Sequence, residues 1–114
     1  PVPPLSMSRV LRVAARDHSM DMGNRGYFQH TTPDGVSPWQ RMEEAGFQGG
    51  YPLGENISAG ATTAEQSMRG LMDSDGHCAN IMSPEFGVVG IGYANVPGSQ
   101  WGSYWTQKFA GSDG

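Results

Sequence analysis

Basic residues are scarce in this chain of 114 residues: seven Lys and Arg stand against eleven Asp and Glu, for a formal net charge of −4. A nucleic-acid-binding face needs a basic stripe that displaces counterions from phosphates. Arg9, Arg12 and Arg16 recur at helical spacing, but in so acidic a chain they read as a solvated helix face. No run approaches the ~18 apolar residues that cross a membrane. The opening Pro1-Val2-Pro3-Pro4 has neither the basic region nor the apolar stretch of a signal peptide, which leaves a mature or trimmed form or a cytoplasmic protein. There is one cysteine, Cys78, so no disulfide closes within the chain. Also missing are a phosphate-binding glycine loop, a His-Glu-x-x-His zinc helix and a Gly-x-Ser-x-Gly nucleophile elbow.

What is present fits one domain over residues 1–114. The 17 glycines and 8 prolines are spread along the chain and act as punctuation between elements. Leu11, Ala14, Ala15, His18 and Met22 fall at helical spacing, and Ser6 or Ser8 can cap them, so a helix is predicted over about residues 7–24. Pro33-Asp34-Gly35 is a turn signal inside a 27–36 loop. Ser37 and Gln40 form a capping box with Pro38 at the first helical position, and Gly46 ends that second helix. Glu55-Asn56-Ile57-Ser58 reads as strand or loop. Thr62 or Thr63 caps a third helix bearing Met68, Leu71 and Met72, and His77 to Met82 reads as one further turn. The last third changes to period two: Val88 to Ala94 and Trp101 to Phe109 read as antiparallel partners. Helices followed by a hairpin imply helices layered on an antiparallel sheet.

Three histidines could carry chemistry. His18 lies on the apolar stripe of the first helix and reads as a buried, hydrogen-bonded residue. His30 and His77 lie where the backbone is irregular and where loops gather function. Glu55 lies in the short apolar-flanked segment Gly54-Glu55-Asn56-Ile57 and needs a partner or water if it is buried, and the Asn56 amide can hold a neighbouring loop. Cys78 adjoins His77, but neighbouring side chains on a helix point about 100° apart, so they make a poor nucleophile–base pair.

Taken together and in order, several segments resemble the CAP superfamily of cysteine-rich secretory proteins, antigen 5 and pathogenesis-related proteins, in its bacterial secreted SCP-like branch. They are Ala15-Arg16-Asp17-His18-Ser19-Met20-Asp21-Met22 with Tyr27-Phe28-Gln29-His30-Thr31-Thr32-Pro33-Asp34-Gly35; Gly54-Glu55-Asn56-Ile57; Ser74-Asp75-Gly76-His77-Cys78-Ala79-Asn80-Ile81-Met82; and Gly90-Ile91-Gly92-Tyr93-Ala94 with Tyr104-Trp105-Thr106-Gln107-Lys108-Phe109. The resemblance implies a three-layer α-β-α sandwich with a central antiparallel sheet, lacking the helix that precedes the Pro3-Pro4-Leu5 stretch in the family. It also implies secretion, and a partner for Cys78 in that missing segment. The family's cleft carries two histidines and two glutamates. His30 matches the first histidine, Glu55 the first glutamate and His77 the second histidine. Ser74 stands at the second glutamate, with Asp73 or Asp75 as a substitute acid and Asn56 alongside as an accessory cleft residue.

Two imidazoles and a carboxylate make a partial shell for a divalent metal, most naturally Zn²⁺. The expectation is therefore a secreted protein whose open cleft, formed by His30, Glu55 and His77, binds a metal and a further ligand: a small molecule, lipid, glycan or protein. The alternative is a metal-dependent hydrolase of peptide or ester bonds with Glu55 as base. A third reading has the same residues only tying loops together.

Overall fold

The computed structural model describes residues 3–113. Helix α1 spans Arg9–Arg25. The Ser8 side chain accepts from the Leu11 N–H at its start, and Gly26, at φ 71°, closes its end in the left-handed conformation that glycine adopts without strain. The stripe expected from spacing is buried: Leu11, Ala14, Ala15, His18 and Met22 all face inward, while Arg9, Arg12 and Arg16 are solvated. Helix α2, Pro38–Glu44, begins with the expected reciprocal capping box between Ser37 and Gln40.

Strand β1 is the residue pair Ser6–Met7, β2 runs Gly50–Ala59, β3 Val88–Asn95 and β4 Ser103–Ser112. Between β2 and β3 lie α3, Ala64–Met72, and α4, Asp75–Met82. The sheet order is β1-β3-β4-β2. The β3–β4 and β4–β2 pairs are antiparallel, but β1 pairs parallel to β3, so the expected antiparallel sheet is in fact mixed. Ser6 and Met7 have no strand pattern of their own. They join because the Ser6 and Ser8 N–H groups find the carbonyls of Gly87 and Val89. Two other elements are longer than predicted. Glu55 to Ser58 belongs to a ten-residue strand, and the turn after His77 is part of an eight-residue helix.

Helix α1 lies against β3 and β4 on one face. Its approach is set by glycine: a Cβ at Gly90 would meet the backbone of Leu11 and Arg12, and one at Gly92 the backbone of Ala15 and Arg16. Ile91, Trp105 and Gln107 leave the opposite face, toward α3. The result is the α-β-α layering expected from sequence. One core cluster joins Leu11, Met42, Val88 and Ala110, and a second joins Met22, Ile57 and Tyr104.

Candidate functional site around Glu55

The register of the sheet builds the site. Glu55 on β2 is paired with Lys108 on β4, and Lys108 with Gly90 on β3. All three therefore face α1 and α2. The Lys108 side chain is fully buried; its Nζ donates to Glu55 Oε2 at 2.8 Å and to the Pro38 carbonyl, at the start of α2, at 3.0 Å. It also lies 5.5 Å from the centre of the Trp39 ring. One turn along α2, Arg41 reaches the same carboxylate, with Nη1 3.2 Å from Oε2 and Nη2 3.4 Å from Oε1. Arg41 Nη2 donates to the His30 carbonyl as well. The His30 ring supplies the last contact, Nδ1 to Glu55 Oε1 at 2.8 Å. A carboxylate only accepts, so His30 carries a proton on Nδ1, and in the neutral ring Nε2 is then the acceptor. Glu55 is almost wholly buried, whereas half of the His30 side chain is exposed.

Burial alone would raise the Glu55 pKa, but the hydrogen bond from His30 and the charges of Lys108 and Arg41 outweigh it and hold the carboxyl below its ordinary range. Lys108 is lowered to about 8, because burial of the ammonium outweighs the attraction of Glu55. Burial likewise lowers the Arg41 guanidinium, against the pull of Glu55. Three ionised groups packed this closely persist only because opposite charges offset one another.

His18 is the buried, hydrogen-bonded residue that its position implied. Its Nε2 donates to the Gln29 carbonyl at 2.9 Å, and burial lowers its pKa to about 4. That bond fixes the loop that delivers His30 to Glu55.

Asn56 follows Glu55 and so leaves the other face of β2. Its Nδ2 donates to the His77 carbonyl at 3.1 Å and to Gln107 Oε1 at 3.0 Å, and its Oδ1 accepts from Asn80 at 2.9 Å. Asn56 thus holds α4 to the sheet, and the His77 contact with β2 runs through its backbone carbonyl. Asp73 terminates α3, and Ser74 begins α4 without a side-chain cap bond; neither side chain bonds to the Glu55 cluster.

The structure brings the expected cleft residues together only in part. Among the described residues, no three His, Cys, Asp or Glu side chains gather where they could hold a metal ion. His30 and Glu55 meet, but His77 does not complete a three-ligand set, and both Glu55 oxygens already receive protein donors. Lys108 and Arg41 went unnoticed in sequence. The one available signal was a lysine at the same parity as Tyr104 and Thr106, on the strand face that turns out to be buried.

Residues 1–109 match the family described as the Cysteine-rich secretory protein family (CAP). The uncharacterized protein YkwD of Bacillus subtilis is 38% identical over 109 residues, which is 95% of this chain but 40% of that protein. Among solved structures, an extracellular protein of Bacillus anthracis containing an SCP domain superposes with TM-score 0.80 at 29% identity, covering 96% of this chain and 34% of that one. An outer surface protein of Borrelia burgdorferi shares the fold at TM-score 0.85 and 15% identity, covering 97% and 80% of the two chains. This chain thus spans less than half the length of the two Bacillus relatives.

Proposed function

The chain belongs to the Cysteine-rich secretory protein family, and from that premise we propose that it works outside the cell as a recognition module whose polar anchor is His30. The extracellular setting is supported by the descriptions of the Bacillus anthracis and Borrelia burgdorferi proteins. No described helix is long and apolar enough to cross a membrane. The observation that carries the reading is the saturation of Glu55. A general base must have a free lone pair and a pKa near the working pH; this carboxylate is ringed by His30, Arg41 and Lys108 and held low. What the cluster supplies instead is a half-exposed imidazole fixed through Nδ1, whose Nε2 accepts a hydrogen bond in the neutral ring.

Two measurements test this. Hydrolysis of p-nitrophenyl acetate and of casein should proceed no faster with the protein than with its His30→Ala variant. Turnover that His30→Ala or Glu55→Gln abolishes would favour the hydrolase alternative. Titration of ¹⁵N-labelled protein with a chitin oligosaccharide, a blocked dipeptide and a short-chain fatty acid should give a saturable shift at His30 with at least one of them. Silence at His30 toward all three removes it as the anchor.

A second reading retains a divalent cation, with Glu55 orienting His30 rather than ligating the ion. The short Nδ1 contact favours it, because metal-binding imidazoles commonly donate their other N–H to a carboxylate. Zn²⁺ should then raise the melting temperature in line with RT ln(1 + [L]/Kd), and His30→Ala should cancel the rise. An unchanged melting temperature in excess Zn²⁺ ends this reading.

A further inference from the structure

Helix α1 buries one side against the sheet and leaves the other bare. At 100° per residue, Arg9, Arg12, Val13, Arg16 and Met20 fall within an arc of about 100° on the outer side and run about 16 Å along the axis. All five are exposed. Met7, the residue before the Ser8 cap, adjoins them, because it lines one hollow of about 280 Å³ together with Arg9 and Arg12.

The charge of this strip runs against that of the molecule. Seven residues are basic in a chain of net charge −4. Arg25, Arg41 and Lys108 are held by carboxylates. Arg9, Arg12, Arg16 and Arg69 enter no ion pair among the described residues, and three of these four share the strip. Asp17, next to Arg16, turns about 100° away and lines a groove on the α2 side. Asp113, near the start of α1, is engaged by the Ser8 hydroxyl. The strip itself therefore presents three positive charges and no negative one. The acidity of the rest of the molecule is screened beyond about 8 Å at physiological ionic strength, so it does not decide a contact made here.

A second observation is independent of charge. The apolar members of this surface are well exposed: Met7 at 65%, Met20 at 53% and Val13 at 44%. A soluble polyanion would leave these three side chains wet. A bilayer interface takes both kinds of residue, with guanidiniums on the headgroup phosphates and apolar side chains just below them. We propose that the outer face of α1 docks flat on an anionic phospholipid bilayer, with Arg9, Arg12 and Arg16 on the phosphates and Met7, Val13 and Met20 in the interface. The proposal goes beyond the His30 reading and does not use that site.

The test is co-sedimentation with vesicles of equimolar phosphatidylglycerol and phosphatidylcholine, and with vesicles of phosphatidylcholine alone, beside retention on heparin as a soluble polyanion. The protein should partition onto the anionic vesicles and not onto the neutral ones, and less so as salt is raised. An arginine near an anionic surface contributes about fivefold in affinity, so the Arg9→Gln, Arg12→Gln, Arg16→Gln variant should lose on the order of a hundredfold. Arg69→Gln, off the strip on α3, should bind as the parent protein does. Val13→Ser, Met20→Ser should weaken vesicle binding about tenfold and leave heparin retention unchanged. Every substituted position is exposed, and thermal unfolding confirms that each variant folds. Equal partitioning onto neutral vesicles, undiminished partitioning of the triple variant, or vesicle binding indifferent to Val13→Ser, Met20→Ser overturns the proposal; the last result would make this face a polyanion site. His30→Ala separates the two readings: vesicle binding should survive it, and its loss there would move the membrane contact away from α1.

Discussion

Glu55 and Lys108 face each other across the β2–β4 ladder with their charged atoms 2.8 Å apart and both side chains out of water. Neither tolerates the loss of the other, because an unpartnered buried charge is far more costly than an absent pair. Glu55→Gln and Lys108→Met should each lower unfolding free energy by about 3–5 kcal/mol. In the double variant the losses should fall well short of their sum. Urea denaturation of the four proteins checks this; strictly additive losses would mean that the two groups do not act as a pair.

A second expectation concerns acid. His18 is fully buried with its pKa lowered to about 4, against an ordinary 6.5. The unfolded chain therefore binds a proton in a range where the native chain does not, and stability present above pH 6.5 is lost as pH falls toward 4. The loss is on the order of 3 kcal/mol. His18→Gln should flatten this part of the stability–pH curve measured by urea midpoints, whereas an unchanged slope would place the titrating group elsewhere. Glu55, also lowered, adds a loss of the same sign at lower pH.

Glycines of opposite consequence test the packing of α1 on the sheet. Gly92→Ala puts a methyl into the backbone of Ala15 and Arg16, and overpacking of this kind costs about 1–3 kcal/mol. Gly70→Ala sits inside α3 with nothing within 4 Å of the new methyl, and should stabilise by roughly 0.5–1 kcal/mol. Thermal midpoints moving in the same direction for both would refute the contrast.

Asn56 joins three neighbours while almost wholly buried. Asn56→Leu leaves the Asn80 side chain and the His77 carbonyl without their partner, at about 1–3 kcal/mol. The penalty should concentrate in α4, so amide exchange there should speed up more than in α1. Uniform acceleration would show that Asn56 supports the whole sheet rather than this helix.

Local chemistry was legible from residue order. The α1 stripe, the Ser37–Gln40 capping box and the alternation of β3 and β4 each depend on residues within a turn or two of one another, so spacing alone revealed them. The same holds for His18 as a buried residue and Asn56 as a tether. The contact of His30 with Glu55 spans 25 positions and came from family resemblance, not from any local pattern.

Sequence by itself therefore determined the helices, their caps, the hairpin and the parity of each strand face. Tertiary structure alone decided what stands opposite what. A strand's parity is intrinsic, but its register is a relation between two chain segments, and only that relation puts Lys108 against Glu55 and sends Asn56 to the other side. That relation leaves Glu55 a carboxylate held by an imidazole, a guanidinium and an ammonium. Long-range pairing selects a buried group's neighbours, and those neighbours set its charge and chemistry.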